Sequence, residues 1–351
     1  MTKRARVIYN PVSGRELIKK ALPDILRVYE KAGYETSAFC TEPEPFSAKK
    51  EARRAALAGF DLVVAAGGDG TINEVVDGIS ELERRPKMAI IPAGTTNDYA
   101  RALHIPRHDF VKAAEVIYKD QTVKMDIGKV KTKQQERHMV NIGAAGYLTE
   151  VTYEVPANMK AIFGNLAYFV KGAEMLPRIR PVYLNLEYEG GVYQGKASMF
   201  FAALTNSVGG FEEIAPDKVF GDGKFTLIIV KTSNLLEILR LVTHLMNGGK
   251  HVNSSKILYV KTDYIRATTL GPNRLMINVD GEYGGDAPVE FIALRQHVEM
   301  VADTDSMEID IDPRDLDAEL KEEAFIEQLK QLEESEPMSP DDVEIDSTLN
   351  E

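Results

Sequence analysis

A single cysteine, Cys40, stands among 351 residues, so no disulfide closes within the chain and no cysteine-built zinc site can form. Cys40 reads as a small apolar residue suited to a reducing compartment. Nowhere do the ~18 uninterrupted apolar residues of a membrane span occur. The start, MTKRARVIYNPVSG, passes from a short basic stretch into a strand-like run without an apolar leader pattern, so export is not expected. Two catalytic signatures are missing as well. No Gly-x-Ser-x-Gly elbow surrounds Ser207, and no Gly-x-Gly-x-x-Gly follows the first strand, which argues against a serine hydrolase and a dinucleotide dehydrogenase.

What is present suits a soluble globular protein: 44% apolar and 27% charged residues, in a length that favours two domains over one core. The net charge of −12 is unevenly spread. From Asp303 to Glu351 there are nineteen acidic and three basic residues, a net of −16, which leaves residues 1 to 302 at +4. That basic excess favours an anionic partner without choosing which. The tail places Leu316, Leu320, Leu329 and Leu332 at roughly helical spacing before a Pro- and Asp-rich end. A solvated extension and a short amphipathic docking helix both account for it.

From Arg4 to about Val130, apolar runs ending at Gly, Asn or Thr alternate with helical patterns, the signature of a parallel α/β sheet. Arg6 to Asn10, Tyr34 to Thr41, Asp61 to Ala66 and Lys87 to Pro92 are expected strands. The third contains LVVAA, the continuous apolar run of a strand covered on both faces. Pro23 predicts a break or kink near Leu22 in the first helix. After Val130 the segments shorten and alternate around glycine turns, as in VYLNLEYEGGVYQGKASMFFAALTN and GKFTLIIVKT, so a second, mainly antiparallel domain is expected. Helical patterns interrupt it near Ala161 to Leu176 and Leu235 to Asn247.

Two apparent motifs dissolve in context. GGVYQGKA, Gly190 to Ala197, falls one residue short of a phosphate-binding P-loop, and its strand-like flanks predict a hairpin turn. His104 and His108 have helical zinc-ligand spacing, but Pro106 between them breaks the helix that spacing needs.

The strongest local signal is AAGGDGTINE, residues 65 to 74, where a buried strand meets glycines and then a helix expected to begin at Thr71. Glycines admit a ligand close to the backbone, and the helix start offers amides and a positive dipole end to phosphate. Asp69 would repel that phosphate unless a cation lay between them, so a magnesium ion held through Asp69 is the economical expectation. Thr71 and Glu74 alternatively form a Thr-x-x-Glu capping box, with Asp69 as a turn former. In YNPVSGRE, Ser13 and Glu16 offer another capping box and Gly14 an accessible backbone; in IIPAGTTNDYARAL, Thr95, Thr96, Asn97 and Asp98 stand where a helix starts, with Asn97 a candidate cap. With Thr41, these turns converge at the carboxyl ends of four strands, where open α/β sheets bind ligands.

The set Asn-Pro-x-Ser-Gly, Gly-Gly-Asp-Gly-Thr-x-Asn-Glu and Pro-x-Gly-Thr-x-Asn-Asp-x-Ala-Arg, in this order and spacing, resembles the catalytic domain of the diacylglycerol kinase family, most closely its soluble bacterial members. The resemblance runs to about Ala302 and takes in TNSVGGFEEIAPDKVFGDGKFTLIIVK and MINVDGEYGG; the tail lies outside it. It implies a Rossmann-like α/β nucleotide domain over residues 1–128, completed by a returning segment at 290–312, a β-sandwich lipid-substrate domain over 129–289, and an acidic, partly disordered tail over 313–351. It implies ATP as phosphoryl donor, contacting Asn10, Pro11, Val12, Ser13, Gly14, Thr41, Gly68, Asp69, Gly70, Thr71, Ile72, Asn73, Glu74 and Thr95. Asp69 and Asp98 would hold the catalytic Mg2+ network, and Glu282 would be the general base. Read alone, Asp280 and Gly281 before it make a hairpin turn. Asp217 would hold a second, structural magnesium with the carbonyls of Ile214 and Val219.

The expected reaction is phosphorylation of diacylglycerol to phosphatidic acid at the cytoplasmic, inner face of the membrane. The partners are the membrane's diacylglycerol and its anionic phospholipid surface, with no nucleic acid, and the family also includes homodimers. Arg15, Lys19 and Lys20 are candidate membrane contacts, or simply a solvated helix face. AIFGNLAYFV, residues 161 to 170, lines a lipid cleft or an ordinary helix core. A kinase of another hydroxyl lipid or a sphingoid base, and a non-catalytic nucleotide-binding regulator, are the alternatives.

Overall fold

In a computed structural model, the structure describes residues 2–146, 181–205, 221–231, 256–272 and 274–304. The helical patterns near Ala161 and Leu235, the segment 161–170 and the tail lie outside the described residues. The described residues all lie within one compact unit, Met1–Glu308.

The α/β half alternates as the apolar runs predict. β1 (Lys3–Tyr9), β2 (Tyr34–Cys40), β3 (Leu62–Gly67) and β4 (Lys87–Pro92) alternate with α1 (Leu17–Lys31), α2 (Ser47–Leu57) and α3 (Asp69–Ser80), with α4 (Asp98–Ala102) and α5 (Phe110–Glu115) following. All four strands are parallel, in the order β2-β1-β3-β4, and every residue of β3 is buried. Chain order reverses beside β1, because β2 lies on one side of it and β3 on the other. Outside that switch the carboxyl ends diverge and leave a crevice. α1 buries Ile18, Ile25, Val28 and Tyr29 as one stripe.

Pro23 does not break α1 at Leu22; the helix runs continuously through it. Pro23 is exposed, so the Lys19 carbonyl that loses its partner lies on the side where water can replace the bond.

The second half supplies β5 (Thr122–Thr132), β6 (Glu136–Met139), β7 (Ile142–Gly146), β8 (Val182–Tyr188), β9 (Gly191–Ala197), β10 (Met199–Ala203), β11 (Phe225–Val230), β12 (Ile257–Thr262), β13 (Tyr264–Thr269), β14 (Met276–Val279), β15 (Glu282–Asp286) and β16 (Val289–Val301). One six-stranded antiparallel sheet runs β12-β11-β10-β7-β14-β15. The remaining strands extend the parallel sheet through β4-β16-β13-β8-β9, with β5 paired to β16 and β6 to β5. GGVYQGKA forms the β8–β9 hairpin, with Gly190 in its turn at φ 83°.

Two hydrophobic cores result, and β5 and β16 serve both. Met125, Ile127, Val298 and Met300 pack with the α/β strands, whereas Val130, Val289 and Phe291 pack between the sheets of the second half. Phe291 is fully buried, edge-on to Phe200 and Phe225 at centroid distances of 6.2 and 6.4 Å. Truncating a ring so placed costs about 3–5 kcal/mol.

Candidate active site

Four turns meet outside the parallel strands. After β1, the Asn10 amide donates to the Ala66 carbonyl at the end of β3 (2.9 Å), and Asn10 Oδ1 accepts from the Val12 amide (3.1 Å). Ser13 and Gly14 enter a 3₁₀ turn, with Gly14 at φ 58°. Thr41 is tied to β1 by its amide bond to the Tyr9 carbonyl (2.9 Å). A cavity of about 360 Å³ opens between these turns, lined by Asn10, Pro11, Val12, Thr41, Thr71 and Glu74 among others. Its size suits a small-molecule ligand.

The turns after β3 and β4 are locked together by glycine. A β-carbon on Gly94 would stand 2.6 Å from Gly68 Cα and 2.8 Å from Asn97 Oδ1, so the two backbones touch where a side chain would separate them. Asn97 holds the contact: its Oδ1 accepts from the Gly94 amide (2.7 Å) and its Nδ2 donates to the Gly94 carbonyl (3.0 Å). Asn97 thus precedes α4 in a left-handed conformation but does not cap it through its side chain, which the turn has already engaged. Thr95 is exposed beside it and Asp98 is buried at the first position of α4.

α3 starts at Asp69, two residues before Thr71, with Gly68 at its N-cap. The expected capping boxes are therefore absent. Glu74 Oε2 instead accepts from the Ala48 and Lys49 amides (3.0 and 3.3 Å), closing the start of α2, which makes no side-chain cap of its own. Neither Ser13 nor Glu16 caps α1, because Glu16 adopts a left-handed φ of 67°. Ile72 packs its side chain into the core.

Asp69 Oδ2 accepts from Thr96 Oγ1 (2.9 Å) and Oδ1 from the Tyr99 amide (3.4 Å). Burial pushes its carboxyl above the usual carboxylate range, and these neutral donors only partly oppose that. Among the described residues only neutral donors serve this buried carboxylate, which suits a hard cation bound through oxygen. Among the described residues no three His, Cys, Asp or Glu side chains converge, so a cation here would use one or two carboxylates together with phosphate and water oxygens.

The β14–β15 hairpin brings a further carboxylate to this cleft. Asp280 and Gly281 form its turn with φ of 49° and 89°, and Glu282 opens β15. Glu282 Oε1 lies 3.8 Å from where a side chain on Gly70 would begin. Its Oε2 accepts from the Arg137 guanidinium (3.0 Å). Asp280 is more than a turn former. Its carboxylate accepts from Asn73 Nδ2 and from the amides of Val140, Asn141 and Ile142, at 2.7 to 2.9 Å. Burial pushes this carboxyl up, while the three amides favour its ionised form.

The structure thus gathers the residues read from the four turns and sets Glu282 opposite Gly70. Asp217, Ile214 and Val219 lie outside the described residues. Asp280 and Arg137 are the members that sequence reading missed. An Asp-Gly pair is so strong a turn signal that it hides the carboxylate's bonds, and one arginine in the strand ERHM carries no signal.

Fold and cleft together define a class: an open α/β domain with glycine-rich turns at the carboxyl ends of its strands, faced by a β-sheet domain that presents a carboxylate to them. Residues 4–130 match the diacylglycerol kinase catalytic domain, and residues 140–302 match the YegS C-terminal NAD kinase beta sandwich-like domain. Diacylglycerol kinases of Staphylococcus aureus strains JH9 and Newman are each 49% identical over 305 residues, 87% of this chain and 94% of theirs. A crystal structure from Bacillus anthracis str. Sterne superposes with a TM-score of 0.74 at 25% identity, covering 87% of this chain and 98% of that one. A diacylglycerol kinase structure from the same strain, at 22% identity, shares the fold with a TM-score of 0.67, covering 87% and 98%. The chain belongs to the diacylglycerol kinase family, and it is an enzyme of the kinase type.

Proposed function

We propose that the protein transfers the γ-phosphoryl group of ATP to the free hydroxyl of diacylglycerol, giving phosphatidic acid at the cytoplasmic face of the membrane. The observation that carries this reading is the placement of Glu282 against Gly70, at the start of the helix suited to hold phosphate. The nucleoside end of ATP occupies the cavity beside Thr41, and its phosphates lie along Gly68 to Thr71 and the Asn10 to Gly14 turn. Amides at the α3 start and the positive end of its dipole stabilise the phosphate charge. Asp69 and Asp98 hold Mg2+, which when bound neutralises charge on the phosphates.

Glu282 takes the proton of the lipid hydroxyl as that oxygen bonds to the γ-phosphorus. The bond from phosphorus to the β–γ bridging oxygen breaks, and its electrons leave with ADP. Asp217 with the Ile214 and Val219 carbonyls forms a separate structural magnesium site, and Arg15, Lys19 and Lys20 draw the enzyme to anionic lipid.

Purified protein with labelled ATP, Mg2+ and anionic mixed micelles containing diacylglycerol tests the proposal, with sphingosine and NAD as parallel acceptors. Labelled phosphatidic acid alone is the expected product. Label on sphingosine or NAD would move the substrate assignment, and no transfer despite bound ATP would overturn the kinase mechanism.

A further inference from the structure

We infer that Arg137 and Asn73 are positioning residues that hold Glu282 against the phosphate loop; the inference rests on Glu282 being the base. Glu282 stands at a hairpin tip with 56% of its side chain exposed, a setting in which a glutamate rotates freely unless it is held. Among the described residues, the group that engages its carboxylate is Arg137. One terminal nitrogen of Arg137 donates both to Glu282 Oε2 and to Asn73 Oδ1, each at 3.0 Å. The arginine side chain is only 11% exposed.

Asn73 is in turn fixed from both sides. Its Nδ2 donates to the His138 carbonyl (3.0 Å) and to Asp280 Oδ2 (2.7 Å). Every hydrogen-bonding atom of this side chain is therefore spent inside the protein, although Asn73 sits within the Gly-Asp-Gly-Thr-x-Asn-Glu run. Its amide group serves the base and leaves ATP to the backbone before it. α3 thus carries the phosphate cradle at its first turn and, one turn later, the anchor for the carboxylate across the cleft.

The division of labour between the glutamate's oxygens follows. Oε2 is held by Arg137, and Oε1 faces Gly70, where the reacting hydroxyl must pass. A carboxylate fixed in this way reacts with a high effective concentration, whereas displacement by about 1 Å costs on the order of 100-fold. Arginine suits the task because its rigid planar fork keeps its direction.

The test is steady-state lipid phosphorylation with ATP affinity measured by calorimetry. Arg137→Ala is expected to lower kcat at least tenfold with ATP affinity unchanged, and Arg137→Lys or added guanidinium ion to recover part of it. Asn73→Ala should lower kcat, and adding Arg137→Ala to it should cost less than the product of the two single losses. A kcat within twofold of the parent overturns the inference. So does a loss in step with ATP affinity, or one recovered by neither lysine nor guanidinium, since either marks a purely structural arginine. Glu282→Gln separates the two levels. If that variant stays active, the base assignment falls; if it is inactive while Arg137→Ala is normal, only the positioning role falls.

Discussion

Asn73 Nδ2 lies 2.7 Å from Asp280 Oδ2, a bond between residues 207 positions apart that joins α3 to the hairpin carrying Glu282. The same carboxylate receives the amides of Val140, Asn141 and Ile142. Asp280→Ala strips the three backbone amides of this acceptor at once and leaves Asn73 Nδ2 only the His138 carbonyl. Leaving buried donors unpaired costs about 1–3 kcal/mol each, reduced where water can enter. We expect a loss of at least about 3 kcal/mol in urea unfolding at pH 7; a loss below 1 kcal/mol would show that the bonds add little to the fold.

The α/β half was legible because its signals are local. LVVAA, a short apolar run between turn signals, reads as a strand covered on both faces, and the turns after it carry glycines and helix starts in plain order. Bonds between segments distant in sequence left no comparable trace. Glu74 follows Thr71 at capping-box spacing but caps α2 instead, because the packing of α2 against α3 sets its partner. Pro23 breaks helices in general and not here, since its exposure lets water take the place of the missing amide. The sharing of β5 and β16 between two cores was equally hidden, because a long alternating strand reads the same whether it serves one core or two.

Gly94 gives a prediction about the cleft. A methyl group there would stand 2.6 Å from Gly68 Cα, a backbone atom with no rotamer to turn aside, and 2.8 Å from the Oδ1 of Asn97, whose side chain the Gly94 backbone itself holds. Gly94→Ala must push the β3 and β4 turns apart or break the Asn97 clamp. Overpacking of this kind costs about 1–3 kcal/mol. The expected result is a lower melting temperature with an ATP affinity at least about tenfold weaker, read by calorimetry. Unchanged ATP affinity would remove the Gly68–Gly94 contact from the binding site.

Asp77 predicts how the fold responds to acid. Burial draws its carboxyl upward, but the bonds from the His138 ring (2.7 Å) and Lys49 (2.6 Å) outweigh this and hold it below the usual range. The unfolded chain therefore binds the proton more readily. The contribution is complete above the unfolded carboxylate pKa of about 3.9 and is lost as pH falls through the lower folded value. Asp77→Asn should lower stability at pH 7 and flatten the acid limb of unfolding below about pH 4. An acid limb of unchanged slope in that variant would assign it to other carboxylates.

Asp69 has the opposite sign, and that separates function from stability. Burial raises its folded carboxyl above the unfolded value, so folding is opposed by its charge increasingly as pH rises from the unfolded pKa, and fully above the folded one. Thr96 Oγ1 and the Tyr99 amide offset only part of this. In the absence of divalent cations at pH 7, Asp69→Asn removes a charge that the fold bears at a cost, so its melting temperature should match or exceed the parent's. Turnover should nevertheless fall at least about 100-fold, because the amide is a poor ligand for the cation that neutralises the phosphates. Added Mg2+ with ATP should then stabilise the parent and not the variant. A variant that melts well below the parent without cations would mean that the Asp69 charge holds the β4 turn in place, and its lost activity would then report damage to the loop.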